Sequence, residues 1–173
     1  PDITAIKESL EAQDQYQVDS YWLSDLNLKK SDFSRLDEYS LIIAHQISNY
    51  DDIELLNSFQ TKPIWYIIGS NSNLDKFNKH QDIIKFENQK STFEYNTVAL
   101  NKNFSSFLIN DSLSDFVSLT TPFLTPFSNY SINYFPEILL YKRVGSLLTD
   151  QPLLFFVENE YKTCFLIGEG LWR

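Results

Sequence analysis

Apolar positions recur along this chain with two different periods, and the switches between them mark out its elements. In "PDITAIKESLEAQ", Ile3, Ile6 and Leu10 fall three and four residues apart with Asp2 placed as a cap behind Pro1, which predicts an amphipathic helix. "YQVDSYWL" sets Tyr16, Val18 and Ser20 against Gln17, Asp19 and Tyr21, the alternation of a half-buried strand. "SLIIAHQI" and "KPIWYIIG" are instead continuous apolar runs, as expected of strands covered on both faces of a parallel sheet, with Pro63 tolerable at a strand's first position. Between them, "YDDIELLNSFQ" aligns Ile53, Leu56 and Phe59 on one helical face behind Asp51 and Glu54. "SNSNLDKFNKH" then predicts a turn, capped by Ser72 and Asn73, running into a short helix with Leu74 and Phe77 inward.

The second half of the chain changes period. "IIKFEN", "STFEYNTVALN", "EILLYKRVG", "PLLFFVENE" and "YKTCFLIG" are strand-like and closely spaced. "NDSLSDFVSL", with Leu113, Phe116 and Val117 on one face, is the helix expected among them. The polar stretch "VENEYK" between two apolar runs predicts a hairpin. Alternating strands and helices followed by strands alone predict an α/β fold, a mostly parallel core sheet with an antiparallel C-terminal extension. No repeat, low-complexity tract or linker divides residues 1–173, so a single domain is expected.

Charge and composition narrow the function. Fourteen basic against 23 acidic residues give a net charge of -9, which repels phosphate backbones and argues against nucleic acid as a partner. No apolar run reaches the roughly 18 residues of a membrane span, so no membrane contact by this segment is expected. The absence of methionine and a first residue that is proline predict that the chain is a piece of a longer protein. A single cysteine, Cys164, leaves no internal disulfide and no multi-cysteine metal site, and its strand-forming neighbours make it a small buried hydrophobe.

Candidate chemistry concentrates at predicted strand ends. His45 closes "LIIAH", where open α/β sheets place ligand groups; the competing reading is a histidine bonded to backbone. Ser70, in the turn after "YIIG", is the one position resembling a nucleophile elbow, yet Gly69 precedes it and Asn71 follows, so the second small residue is missing. Glu169 lies between Gly168 and Gly170 with no carboxylate or histidine beside it in sequence, which favours a bend over an active carboxylate. His45, Ser70 and Glu169 are thus the weak catalytic candidates, and Gln46, Asn71, Gly168 and Gly170 the weak ligand-binding ones. His80, among polar residues, is expected to be solvated, and two isolated histidines make no metal cluster. No cofactor motif is present: the Gly168–Gly170 pair lacks a third glycine, and "IIGSNSNL" lacks a phosphate loop's glycines and lysine. Tyr50, Trp65, Tyr66, Tyr130, Tyr134 and Trp172 suggest a sugar-binding surface, against which stands their interleaving with core residues.

Four stretches, "PDITAIKESLE", "YSLIIAHQI", "KPIWYIIGSNSNL" and above all "LTDQPLLFFVENEYKTCFLIGEGLWR", resemble the class I glutamine amidotransferase-like domain of large bacterial cell-envelope proteins. The resemblance spans nearly the whole chain, and "GEGLWR" after the hairpin is its most specific mark. It implies a flavodoxin-like three-layer sandwich whose first core strand would precede the first helix and so lie outside this chain. It also implies an elbow at Gly69 to Ser72 and a late-strand catalytic position near "GEGLWR". The elbow has no cysteine and the late-strand position no histidine, so no catalytic residue carries over. The implied role is a non-catalytic interaction or scaffolding module. It would sit on the periplasmic side of a membrane-anchored parent, with other domains of that parent or envelope proteins as partners. The alternatives are a hydrolase of altered chemistry using His45, Ser70 and Glu169, and a small-ligand or glycan-binding module.

Overall fold

The computed structural model describes residues 2–23, 35–48, 62–87, 92–110, 112, 115, 117, 123–126, 129–158 and 162–170. Helix α1 (Asp2–Glu11) is followed by a single 3-10 turn (Leu36–Glu38), strands β1 (Ile42–His45) and β2 (Ile64–Ile68), and helix α2 (Leu74–His80). Seven strands complete the described chain: β3 (Ile84–Phe86), β4 (Phe93–Leu100), β5 (Phe123–Pro126), β6 (Tyr130–Ile132), β7 (Glu137–Val144), β8 (Leu147–Glu158) and β9 (Lys162–Ile167).

The main sheet is mixed, in the order β1-β2-β9-β8-β7-β4-β5, while β3 and β6 form a separate antiparallel pair. β1, β2 and β9 run parallel, with Ala44 opposite Tyr66 and Tyr66 opposite Phe165; from β9 onward every neighbour is antiparallel. The expected α/β character is present. Its parallel part comprises three strands, and the last of them, β9, reaches β2 only after the hairpin from β8. That hairpin is the one expected from "VENEYK", with Glu158 opposite Lys162.

The parallel strands read as unbroken apolar runs because both faces are covered. On one face Ile67 and Leu166 pack with Ile6 of α1, flanked by Leu10, Ile43 and Trp65. On the other, Leu74 and Phe77 of α2 enter the larger core with Tyr66, Ile68, Phe155, Phe165 and Ile167. Phe165 is its centre, stacked on Phe155 at 5.1 Å and on Tyr66 at 5.4 Å between ring centroids. Helix α2 starts as expected: Asn73 is its N-cap, accepting a hydrogen bond from Lys76 N–H at 3.0 Å.

Expectations fail for residues 16–23 and for His80. Residues 16–23 do not form a strand: they lie outside every ladder among the described residues, and Tyr16 and Trp22 stay more than half exposed, so the alternation there belongs to a surface segment. His80 is half-buried rather than solvated, with Nε2 3.2 Å from the Tyr66 hydroxyl, and burial pushes its pKa down. The helix expected in 51–60 lies outside the described residues. So do Leu113 and Phe116 of the later helix, whose Val117 is buried in the core.

Candidate functional site

Parallel pairing brings three carboxyl ends side by side: β1 at His45, β2 at Ile68 and β9 at Ile167. Backbone bonds extend the alignment past the strands, with Gln46 N–H donating to Ile67 C=O and Gly168 N–H to Ile68 C=O, both at 2.8 Å. Beyond them, six of the seven candidates from the sequence fall along this edge, and side-chain contacts join four residues in two pairs.

Ser70 and Glu169, 99 residues apart, are in direct contact. Ser70 Oγ donates to the Glu169 carboxylate, 3.0 Å from Oε1 and 3.1 Å from Oε2, and Ser70 N–H donates to Oε2 at 3.1 Å. Beside them Asn71 N–H donates to Gln46 Oε1 at 3.1 Å. Gly69 lies beneath both side chains: a Cβ there would stand 2.5 Å from Glu169 Oε2 and 2.6 Å from Gln46 Nε2. The turn is closed from behind by Ser72, which is buried; its Oγ accepts from Gly69 N–H at 3.0 Å, a role different from the helix cap expected of it.

The backbone at this edge is unusual where the contacts require it. Gln46, at φ 47°, occupies the left-handed region that non-glycine residues seldom adopt, and this aims its amide at the Gly69 turn. Gly168 and Gly170, at φ 145° and 86°, flank Glu169 and make the bend expected of them. Glu169 also exchanges two backbone hydrogen bonds with Leu124 of β5, at 2.9 and 3.0 Å. Leu124 pairs with Tyr95 of β4 on its other side, so the antiparallel strands close back on the end of β9 through Glu169.

His45 makes no hydrogen bond to this clasp. With Ile43 it shares the face covered by α1, and its Nε2 lies 3.9 Å from the buried carboxylate of Asp2. Burial pushes the imidazole pKa down, while the Asp2 and Glu169 carboxylates pull the other way. No hydrogen bond joins His45 to Ser70. A serine nucleophile needs a base to take its proton and free donors to stabilise an oxyanion. Here the Ser70 hydroxyl and backbone N–H both point at Glu169.

The remaining groups are dispersed. Cys164 is half-buried within β9, and burial pushes its thiol pKa up, the behaviour of an inert core cysteine. Tyr66 is a core residue and Trp65 and Tyr130 are partly buried, whereas Tyr134 is exposed; Tyr50 and Trp172 lie outside the described residues. A cavity of about 420 Å³ lies between α1 and residues Ser20 and Trp22, and one of about 170 Å³ between Asn101 and Glu137. Neither touches the strand-end clasp. Among the described residues no group of three or more His, Cys, Asp or Glu side chains is arranged to hold a metal ion, and no helix is long and apolar enough to cross a membrane.

Sequence reasoning missed one buried polar cluster. Lys142 of β7 is buried and bonded to the Glu94 carboxylate, and Asn96 Nδ2 donates to buried Thr125 Oγ1 at 2.7 Å. Burial opposes the Glu94 charge, but Lys142 and Asn96 outweigh it and hold the carboxyl below its ordinary range. The signal was present as polar residues in step with apolar ones, in "FEYNTV" and "LLYKRV".

No family model, curated protein or solved structure matches the chain. What fold and site together define is an α/β structure with a mixed seven-stranded sheet, the carboxyl ends of its parallel strands closed by a serine–carboxylate clasp.

Proposed function

We propose that the chain is a non-catalytic domain of the class I glutamine amidotransferase-like type, acting as an interaction or scaffolding module of a bacterial envelope protein. The observation that carries this reading is the Ser70–Glu169 contact: at the turn where an active relative would present its nucleophile, the hydroxyl and N–H are bonded to the chain's own carboxylate. The flavodoxin-like reading draws support from parallel β1, β2 and β9 with α1 and α2 packed on opposite faces. The periplasmic setting and the other domains of the parent as partners follow from the resemblance alone.

The rival reading is a hydrolase of altered chemistry using His45, Ser70 and Glu169, of which the structure brings Ser70 and Glu169 into contact. Assays of the purified chain against glutamine and a panel of esters and amides separate the two. The module reading expects no turnover above buffer; turnover lost on Ser70→Ala or His45→Ala would replace it with the hydrolase.

A further inference from the structure

The turn after β2 presents two consecutive backbone N–H groups, Ser70 and Asn71, and both are taken by side chains of the chain itself. Glu169 receives the first together with the Ser70 hydroxyl, so its carboxylate is held in the way a bound anion would be. The seat exists because position 69 has no side chain: a Cβ would lie 2.5 Å from Glu169 Oε2, so a side chain there and the carboxylate exclude one another. The occupant's backbone is held by its two hydrogen bonds to Leu124, so its side chain alone leaves the seat, by rotation about its own χ angles. Ser70 is exposed, so solutes reach the seat.

We propose that the Gly69–Asn71 turn is a receptor for a carboxylate ligand, closed in this structure by Glu169. The donors are fixed on the backbone and on one hydroxyl, and they recognise the carboxylate group rather than what bears it. When Glu169 swings out, another carboxylate takes its place, one anion exchanging for another with no covalent change and no proton moved. The net charge of -9 repels free anions, so a small carboxylate alone binds on the order of millimolar. The inference does not rest on the amidotransferase-like reading, and the turnover assays leave it untouched.

The test is Glu169→Ala, titrated with sodium formate against sodium chloride at equal ionic strength and followed by amide resonances and melting temperature. The proposal expects saturable shifts confined to the neighbourhood of Ser70 and Asn71, a melting temperature that rises with formate, and no saturable response in the wild type. Adding Ser70→Ala should weaken formate binding several-fold. Absence of a saturable response in Glu169→Ala, an equal response in the wild type, or indifference to Ser70→Ala would overturn it. If Glu169→Ala does not fold, Glu169→Asp, which keeps the charge but shortens its reach, takes its place under the same criteria.

Discussion

In the parallel part of the sheet, β1, β2 and β9 carry almost unbroken apolar side chains, and polar groups gather only where the strands stop. In the antiparallel part, Glu94, Asn96 and Lys142 sit within the strands themselves, paired with one another or with Thr125. The difference lies in where polar groups find partners. In the parallel strands Gln46, Ser70 and Glu169 appear at the ends, where loops supply partners. In the antiparallel strands Asn96, Thr125 and Lys142 are buried on the same side as Val98 and Leu140, and each is tolerated there because it is bonded to a partner. Polar residues at the carboxyl edge are therefore candidates for recognition, and those inside β4 and β7 are part of the scaffold.

The comparison breaks most visibly at Phe165, the fully buried ring between Phe155 and Tyr66. Phe165→Ala should cost about 3–5 kcal/mol, read by denaturant unfolding; a cost below about 1 kcal/mol would mean that the aromatic stack is not the centre of the core. In the antiparallel part, Glu94→Ala leaves the Lys142 ammonium buried without its partner. Glu94 is itself partly exposed, so the expected loss is about 2 kcal/mol, between surface and fully buried pairs. Restoration by the double variant Glu94→Ala with Lys142→Met would confirm that the unpaired charge is what costs. The smallest effect is on pH dependence. His45 and His80 both have pKa values lowered in the fold, chiefly by burial, so the unfolded chain binds more protons. Their contribution to stability is complete above about pH 6.5 and is lost as pH falls through the folded values; His45→Gln with His80→Gln should flatten thermal unfolding midpoints across that window.

What could be read from the sequence followed the same division. The two-face runs of β1 and β2, the Asn73 cap and the β8–β9 hairpin were legible because each depends on local pattern. The strand expected in 16–23 was not formed, because alternation says which side chains could face a core but not whether a neighbouring strand is there to pair. His45, Ser70 and Glu169 were legible as strand-end residues, yet their grouping was not. Ser70 meets Glu169 across 99 positions, while His45 turns to Asp2 of α1, and only the register of three strands decides that. The Glu94–Lys142 pair, 48 residues apart, was hidden for the same reason.

The central claim is that Ser70 and Glu169 form an energetically real clasp at the carboxyl edge, and a double-mutant cycle measures it. Stability would be determined for the wild type, Ser70→Ala, Glu169→Ala and the double variant. The clasp predicts a favourable coupling of about 1 kcal/mol or more, as expected for a hydrogen bond to a charged group. Additive single effects, with a coupling indistinguishable from zero, would contradict it.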